Sequence, residues 1–223
     1  MKKLIYVFVF LISSSLFAQK TIETKVGDFN EIKVYDLIEV TLIHSTENKI
    51  VIKGKNVDEV DYVNKGGKLK LRMKLDNLFN GDETFIEVYY TKLDIIDGNE
   101  GAIISTNEAI KQDFIELKGQ EGAELRIDLE VNKLEVKSIS GAVINTSGKA
   151  NSQDISINSG GNYLGEDLES QTTTVSVRAG GIANVNASKT VDATAQAGGT
   201  IRVYGNPETV LKHTALGGKI EVK

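Results

Sequence analysis

"SISGAVINTSG", Ser138–Gly148, sets a glycine and a small residue ahead of a run of alternating character, and the chain restates this pattern several times. Later copies read "NSGGNYLG" (158–165), "RAGGIANV" (178–185), "QAGGTIRV" (196–203) and "LGGKIEV" (216–222). Aligned on the first residue of each Gly-Ala or Gly-Gly pair, the repeat marks Gly101, Gly122, Gly141, Gly160, Gly180, Gly198 and Gly217, at intervals of 21, 19, 19, 20, 18 and 19. Three residues after each glycine stand Ile104, Leu125, Ile144, Tyr163, Ala183, Ile201 and Ile220, all apolar. Five after it stand Thr106, Ile127, Thr146, Gly165, Val185, Val203 and Val222, small or β-branched. Between them lie Ser105, Arg126, Asn145, Leu164, Asn184, Arg202 and Glu221, polar in all but one. A second inward column, Ile96, Leu117, Val136, Ile155, Val175 and Ala193, precedes the glycines by five.

One side in and one side out is the period of a strand, and here it recurs in register from copy to copy. Strand, tight turn, strand and return within about 19 residues describe one coil of a parallel β-solenoid. Coils stacked about 4.8 Å apart place like residues in ladders, and the seven marked coils would span about 34 Å. The glycine pair is read as the corner, where the chain needs a positive φ and a Cβ would crowd the next coil. An antiparallel sandwich with turns every eight to twelve residues does not generate columns in register across nineteen. Asn and Ser crowd "STNEAIKQD", "NTSGKANSQD" and "NASKT", which are therefore expected to be return turns.

The whole composition agrees with this reading. Of 223 residues 40% are apolar, drawn mostly from Val, Ile and Leu, with 21 Gly and one Pro. That is neither collagen-like nor disordered, and it suits strands joined by glycine turns. Residues 1–18 differ: "MKK" is a basic head, "LIYVFVFLI" a short apolar run and "SSSLFA" a small-residue tail. This is the layout of a secretory leader cleaved after Ala18, and the apolar run is too short to span a bilayer. With no Cys there is neither a lipoprotein anchor nor a disulfide framework. Losing Lys2 and Lys3 with the leader takes the formal charge from −5 to −7, which argues against nucleic acid and against docking on anionic lipid.

Residues 19–28 form a lead, and 29–92 a β region without the glycine corner. Ile32, Val34, Val40, Leu42, Ile50 and Ile52 are its expected inward positions, around a "STEN" turn. Gly66-Gly67 turn a hairpin into the alternating "KLKLRMK". This region is expected to supply the first coils and hairpins that cap the solenoid 93–223, continuous with it in one domain, because a bare end coil leaves an open strand edge.

The order of "FNEIKVYDLIEVTLIHSTENKIVIKG", the "GGKLKLRMK" hairpin, the successive glycine coils and the closing "VYGNPETVLKHTALGGKIEV" resembles a secreted bacterial family of unknown function, the autotransporter-adhesin head or GIN domain. The resemblance covers roughly residues 29–222. It implies a right-handed parallel β-helix, exported to the periplasm, the outer surface or the medium of a Gram-negative bacterium, and it carries no catalytic residue across.

The residues offer little chemistry. His44 and His213 lack a nearby Cys or His partner for zinc. No GxSxG elbow exposes a serine, and "GNEGA" and "GQEGA" are not followed by a helix that would cradle phosphate. Asp76, Asp82 and Glu83 in "DNLFNGDE" miss the EF-hand spacing and read as an acidic loop. No cofactor is expected. On fold analogy a β-helix can host a polysaccharide lyase or hydrolase, yet the outward column shows Arg126 and Arg202 without paired carboxylates. The reading is a non-enzymatic extracytoplasmic binding or adhesion module whose face carries Arg126, Asn145, Asn184 and Arg202. Its partner is an unidentified glycan or an envelope or surface protein, with self-association open. An envelope scaffold without ligand and a carbohydrate-active enzyme are the alternatives.

N-terminal sequencing of the exported protein is expected to start at Gln19 or within a few residues of it. A mature protein that retains residues 1–18 would remove the leader.

Overall fold

Every glycine of the repeat adopts the same backbone conformation. In the computed structural model, which describes residues 20–223, the seven glycines have φ between 71° and 77°. The leader therefore lies outside the described residues. The residue ahead of each glycine (Glu100, Glu121, Ser140, Ser159, Ala179, Ala197 and Leu216) is also left-handed, with φ between 48° and 56°. The residue after the glycine closes the turn: Ala102 N–H donates to Asn99 O at 3.0 Å, Ala123 to Gln120 O at 3.2 Å and Gly199 to Gln196 O at 3.0 Å. Two successive positive φ values under an i to i+3 hydrogen bond are the signature of the I′ turn. The turns also bond to one another along the axis. Gly101 N–H donates to Glu121 O at 3.0 Å, Gly122 to Ser140 O at 3.2 Å and Gly180 to Ala197 O at 3.1 Å.

Crowding by the next coil, the second reason expected for the corner glycines, does not apply to most of them. A Cβ on Gly122, Gly141, Gly160, Gly180, Gly198 or Gly217 would meet nothing within 4 Å, so the positive φ is what demands glycine. Crowding falls on the following residue, where a Cβ on Gly181 would come within 2.6 Å of Ile157 Cγ2 and one on Gly218 within 2.0 Å of Ala195 O.

Among the described residues seventeen strands join in one sheet. The first nine are β1 (Ile22–Lys25), β2 (Glu31–Val34), β3 (Glu39–His44), β4 (Lys49–Gly54), β5 (Val60–Lys65), β6 (Lys68–Met73), β7 (Thr84–Tyr90), β8 (Ile95–Gly98) and β9 (Ile103–Thr106). The coils proper follow as β10 (Ile110–Gly119), β11 (Glu124–Ser138), β12 (Val143–Ile157), β13 (Asn162–Val177), β14 (Ile182–Gln196), β15 (Thr200–Tyr204), β16 (Thr209–Ala215) and β17 (Lys219–Val222). From β8 onward every pairing is parallel, and the aligned columns are direct partners: Leu125 faces Ile144, Ile144 faces Tyr163, and Ala183 faces Ile201. The expected return turns "NTSGKANSQD" and "NASKT" are instead parts of continuous strands β12 and β14. They bend without leaving the ladder. At the bends the pairing is interrupted: Asn132 and Asn151 drop out between β11 and β12, and Gln171 stands against both Ser188 and Lys189 between β13 and β14.

The amino-terminal third also contains a corner of the same kind, without glycine. Asp36 and Leu37 have φ of 59° and 63°, Ile38 N–H donates to Tyr35 O at 3.3 Å, and Leu37 N–H donates to Glu100 O at 3.0 Å. Strands β2 and β3 thus form a coil paired to β8 and β9 on one side. On the other side they pair with β6 and β7, so the chain lays its second coil before its first. The antiparallel partners β5 on β6, and β4 then β1 on β7, cover that end. The loop from Lys74 to Glu83 wraps the buried Asp36 carboxylate, which accepts from Met73 N at 3.0 Å and Phe79 N at 3.3 Å. A single core cluster runs from Phe29 to Val203. Within it the Tyr163 hydroxyl bonds to Thr146 at 2.8 Å and donates to Gln153 Oε1 at 2.9 Å, so this large polar side chain at an inward position is satisfied.

Because φ rather than space selects the corner glycine, Gly180→Asn is expected to be milder than Gly180→Val, which should lose about 1–2 kcal/mol of stability. Chemical denaturation of both variants checks this, and equal losses would restore crowding as the cause. At the neighbouring corners burial first, then the charge of Asp36 and a hydrogen bond to it, hold the Glu100 carboxyl above the usual carboxylate range. The unfolded chain then ionises first as pH rises, so the folded state loses stability through that interval and carries the penalty at neutral pH. Glu100→Gln is expected to raise Tm at pH 7, with the gain vanishing below the ordinary carboxylate range.

Candidate binding surface

The outward column built by β3, β9 and their successors is a ladder of directly paired residues, Thr41, Ser105, Arg126, Asn145, Leu164, Asn184, Arg202 and Glu221. Its members are not equally available. Arg126 and Asn145 are exposed beside a hollow of about 280 Å³ that Asp128 and Ser147 also line. Leu164 interrupts the polar run, and Asn184 is only 7% exposed, so it serves as a support rather than a contact. Its Oδ1 accepts from Arg202 Nη1 at 3.3 Å. The arginines do have acidic neighbours, contrary to the expectation from sequence: Arg126 Nε lies 2.8 Å from Glu124 Oε1, and Arg202 Nε 3.8 Å from Glu221 Oε2 in the next coil. The Glu124 contact is made two residues along the same strand, where the outward period of two brings both side chains to one face. Hydrogen bonds from Lys219, then Lys223, hold the Glu221 carboxyl down at about 2.

A second polar ladder runs along the opposite bend of the coils, at the unpaired residues. Asn132 Nδ2 donates to Asp113 Oδ1 at 2.6 Å, Asn151 Nδ2 to Asn132 Oδ1 at 2.6 Å, Gln171 Nε2 to Asn151 Oδ1 at 3.5 Å, and Lys189 Nζ to Gln171 Oε1 at 2.8 Å. At its Asp113 end opens a cleft of about 650 Å³. The exposed His44 ring meets the buried Tyr90 edge-on at 5.7 Å on one wall, and Phe114 is 36% exposed on another. Burial, then the nearby Glu108 charge, pushes the Tyr90 hydroxyl up to about 12. The Gln112 amide fixes the floor by donating to Leu93 O at 2.8 Å and to Phe114 O.

Sequence inspection did not single out this cleft, although its signal is in the spacings. Ile110 pairs with Leu129 and Ser105 with Arg126, so the two residues that lengthen the Gly101–Gly122 interval to 21 fall in the 107–109 loop that forms one side of the cleft. Among the described residues no group of three or more His, Cys, Asp or Glu is placed to hold a metal ion, and no helix is long and apolar enough to cross a membrane.

Residues 28–207 match the family described as "Putative auto-transporter adhesin, head GIN domain". The chain belongs to that family. Among solved structures the GIN-domain chain is similar to one described as a putative adhesin from Bacteroides fragilis, with a TM-score of 0.84 at 20% identity over 92% of this chain and 97% of that one. A putative adhesin from Parabacteroides distasonis aligns with a TM-score of 0.74 at 19% identity over 92% and 97%. A protein described as a putative lipid binding protein, also from Parabacteroides distasonis, aligns with a TM-score of 0.71 at 16% identity over 92% and 97%. At these identities the likeness carries the solenoid fold alone. No curated protein matches the sequence.

Proposed function

We propose that this GIN-domain chain is a non-enzymatic, extracytoplasmic binding module of the adhesion type in a Gram-negative envelope, holding its partner through outward side chains at coil spacing. The observation that carries the reading is the fixed outward ladder, in which Arg126 and Arg202 are oriented by carboxylates and Asn184 while retaining further N–H donors. Side chains held in place before binding lose little entropy on binding, and several weak contacts at regular spacing add up. Membership of a family described as a putative auto-transporter adhesin head, and a fold similar to proteins described as putative adhesins, support adhesion. The Met1–Ala18 pattern supports export.

Along the outward ladder the electrostatics support a role without chemistry on the ligand. Glycoside hydrolysis needs a carboxyl held protonated opposite a second, ionised one. Beside Arg202 the acid is Glu221, displaced the other way by its lysines, and Glu124 is engaged by Arg126.

Arg126→Ser combined with Arg202→Ser is expected to keep the β circular-dichroism spectrum and Tm while reducing attachment to envelope glycans and proteins, in a pull-down with the mature chain, by about tenfold. Unchanged attachment would move the contact surface away from this ladder. Turnover of any glycan by the purified chain would overturn the non-enzymatic reading.

A further inference from the structure

We infer that the bend carrying the amide ladder is a track for a neutral, linear glycan, with one sugar ring stacked on Phe114 in the cleft at its end. The inference rests on the reading as a binding module but not on the Arg126 and Arg202 face.

The residue types are the first support. Phe114 pairs in register with Lys133, and that column continues through Ser152, Thr172, Thr190 and Thr209. It is the one aromatic in the column, and no core contact requires it there, since it remains 36% exposed. The Lys133 ammonium sits 5.8 Å from its ring centre, and Phe114 lines the cleft, which Lys133 does not. An exposed aromatic face beside carboxylates and amides is the combination a sugar ring uses, because its C–H face is apolar and its rim is hydroxyl.

The geometry of the ladder is the second. Each amide from Asn132 to Gln171 spends one N–H and one acceptor direction on its neighbours, which leaves a second N–H and a second lone pair at every rung. The rungs recur at the coil spacing of about 4.8 Å, close to the length of one hexopyranose unit in an extended chain. An extended peptide advances about 3.3 Å per residue, with like-facing side chains at twice that, and falls out of step with the rungs. Part of the track borders a second hollow, of about 510 Å³, lined by Asn151, Gln171 and Ser188.

Charge selects the kind of glycan. Asp113 ends the ladder on one side and Lys189 on the other, and the lysines at the cleft are already paired, Lys92 with Asp94 at 3.1 Å and Lys111 with Glu130 at 2.7 Å. A polyanion would meet no run of free cations, whereas hydroxyl groups can both donate and accept along the whole strip.

The test is calorimetric titration of the mature protein with β-1,4-linked neutral oligosaccharides of glucose and of N-acetylglucosamine, from monosaccharide to hexasaccharide, with a sulfated oligosaccharide of equal length beside them. Affinity is expected to rise with each added unit until the rungs are covered. Phe114→Ala, at an exposed position, should leave Tm unchanged and weaken the longest ligand by about tenfold, the upper scale of one aromatic contact. Arg126→Ser with Arg202→Ser should leave this titration unaltered. Binding that ignores chain length, survives Phe114→Ala or favours the sulfated chain would overturn the track, as would no binding to any of these probes. None of those results touches the module reading if the pull-down still captures a partner through Arg126 and Arg202.

Discussion

Two consecutive left-handed residues at every corner are the constraint from which the rest of the solenoid follows. An I′ turn reverses the chain so sharply that the next strand can start one coil further along the axis, in register with the one before. For a residue other than glycine the left-handed conformation costs roughly 1–2 kcal/mol, and the structure accepts it repeatedly, at Glu100, Glu121, Ser140, Ser159, Ala179, Ala197 and Leu216. What offsets the strain is stacking. Most turns donate a corner N–H to a carbonyl of the next turn, as Gly180 does to Ala197, so backbone groups that a solitary turn would leave to water are paired. An isolated turn of this composition would not hold; a column of them does, and the columns of inward residues inherit their register from it.

The same corner governs how the core is filled. The last inward residue of one coil and the closing residue of the next coil's turn share a fixed space. Where the former is Gly98 or Gly119 the latter is Ala123 or Ala142, and where it is Ser138, Ile157, Val177 or Ala195 the latter is Gly161, Gly181, Gly199 or Gly218. A Cβ on Gly119 would lie 3.1 Å from the Ala142 Cβ, and one on Gly199 would lie 2.9 Å from Val177 Cγ1. One member of each of these pairs is glycine, and which member it is reverses along the axis, as close packing of the shared space requires. Ala102, preceded in the stack by Val34, departs from this exchange.

What the sequence revealed and what it hid follow from the same physics. Glycine marks a left-handed backbone legibly, so seven corners could be aligned and the inward columns counted off from them. The corner at Asp36–Leu37 uses no glycine and left no such mark, although its φ values match the others. The order of the first two coils was hidden as well, because pairing β2 between β6 and β8 is a matter of tertiary register that no local pattern records. The bends were misread as turns since Asn and Ser favour both. In a stack, their side chains bond to the next coil rather than to their own backbone, as Asn151 does with Asn132. Of the four candidate binding residues, the periodicity placed all on one face, but it could not tell that Asn184 would be covered by Arg202.

A regular solenoid presents the same surface at every level, and a binding site needs a place that differs. Here the difference is two residues. Lengthening one coil lets Glu108 and Ala109 stand away from the sheet, and the space between them and the β3 and β7 ends, capped by His44 and Tyr90, becomes a hollow of about 650 Å³. Along the remaining coils lie smaller hollows, of about 510 Å³ beside Asn151 and Gln171 and of about 280 Å³ beside Arg126. In the inferred glycan track, repetition would supply evenly spaced rungs and the lengthened coil an end with aromatic character, giving a repeating ligand both a direction and a starting point.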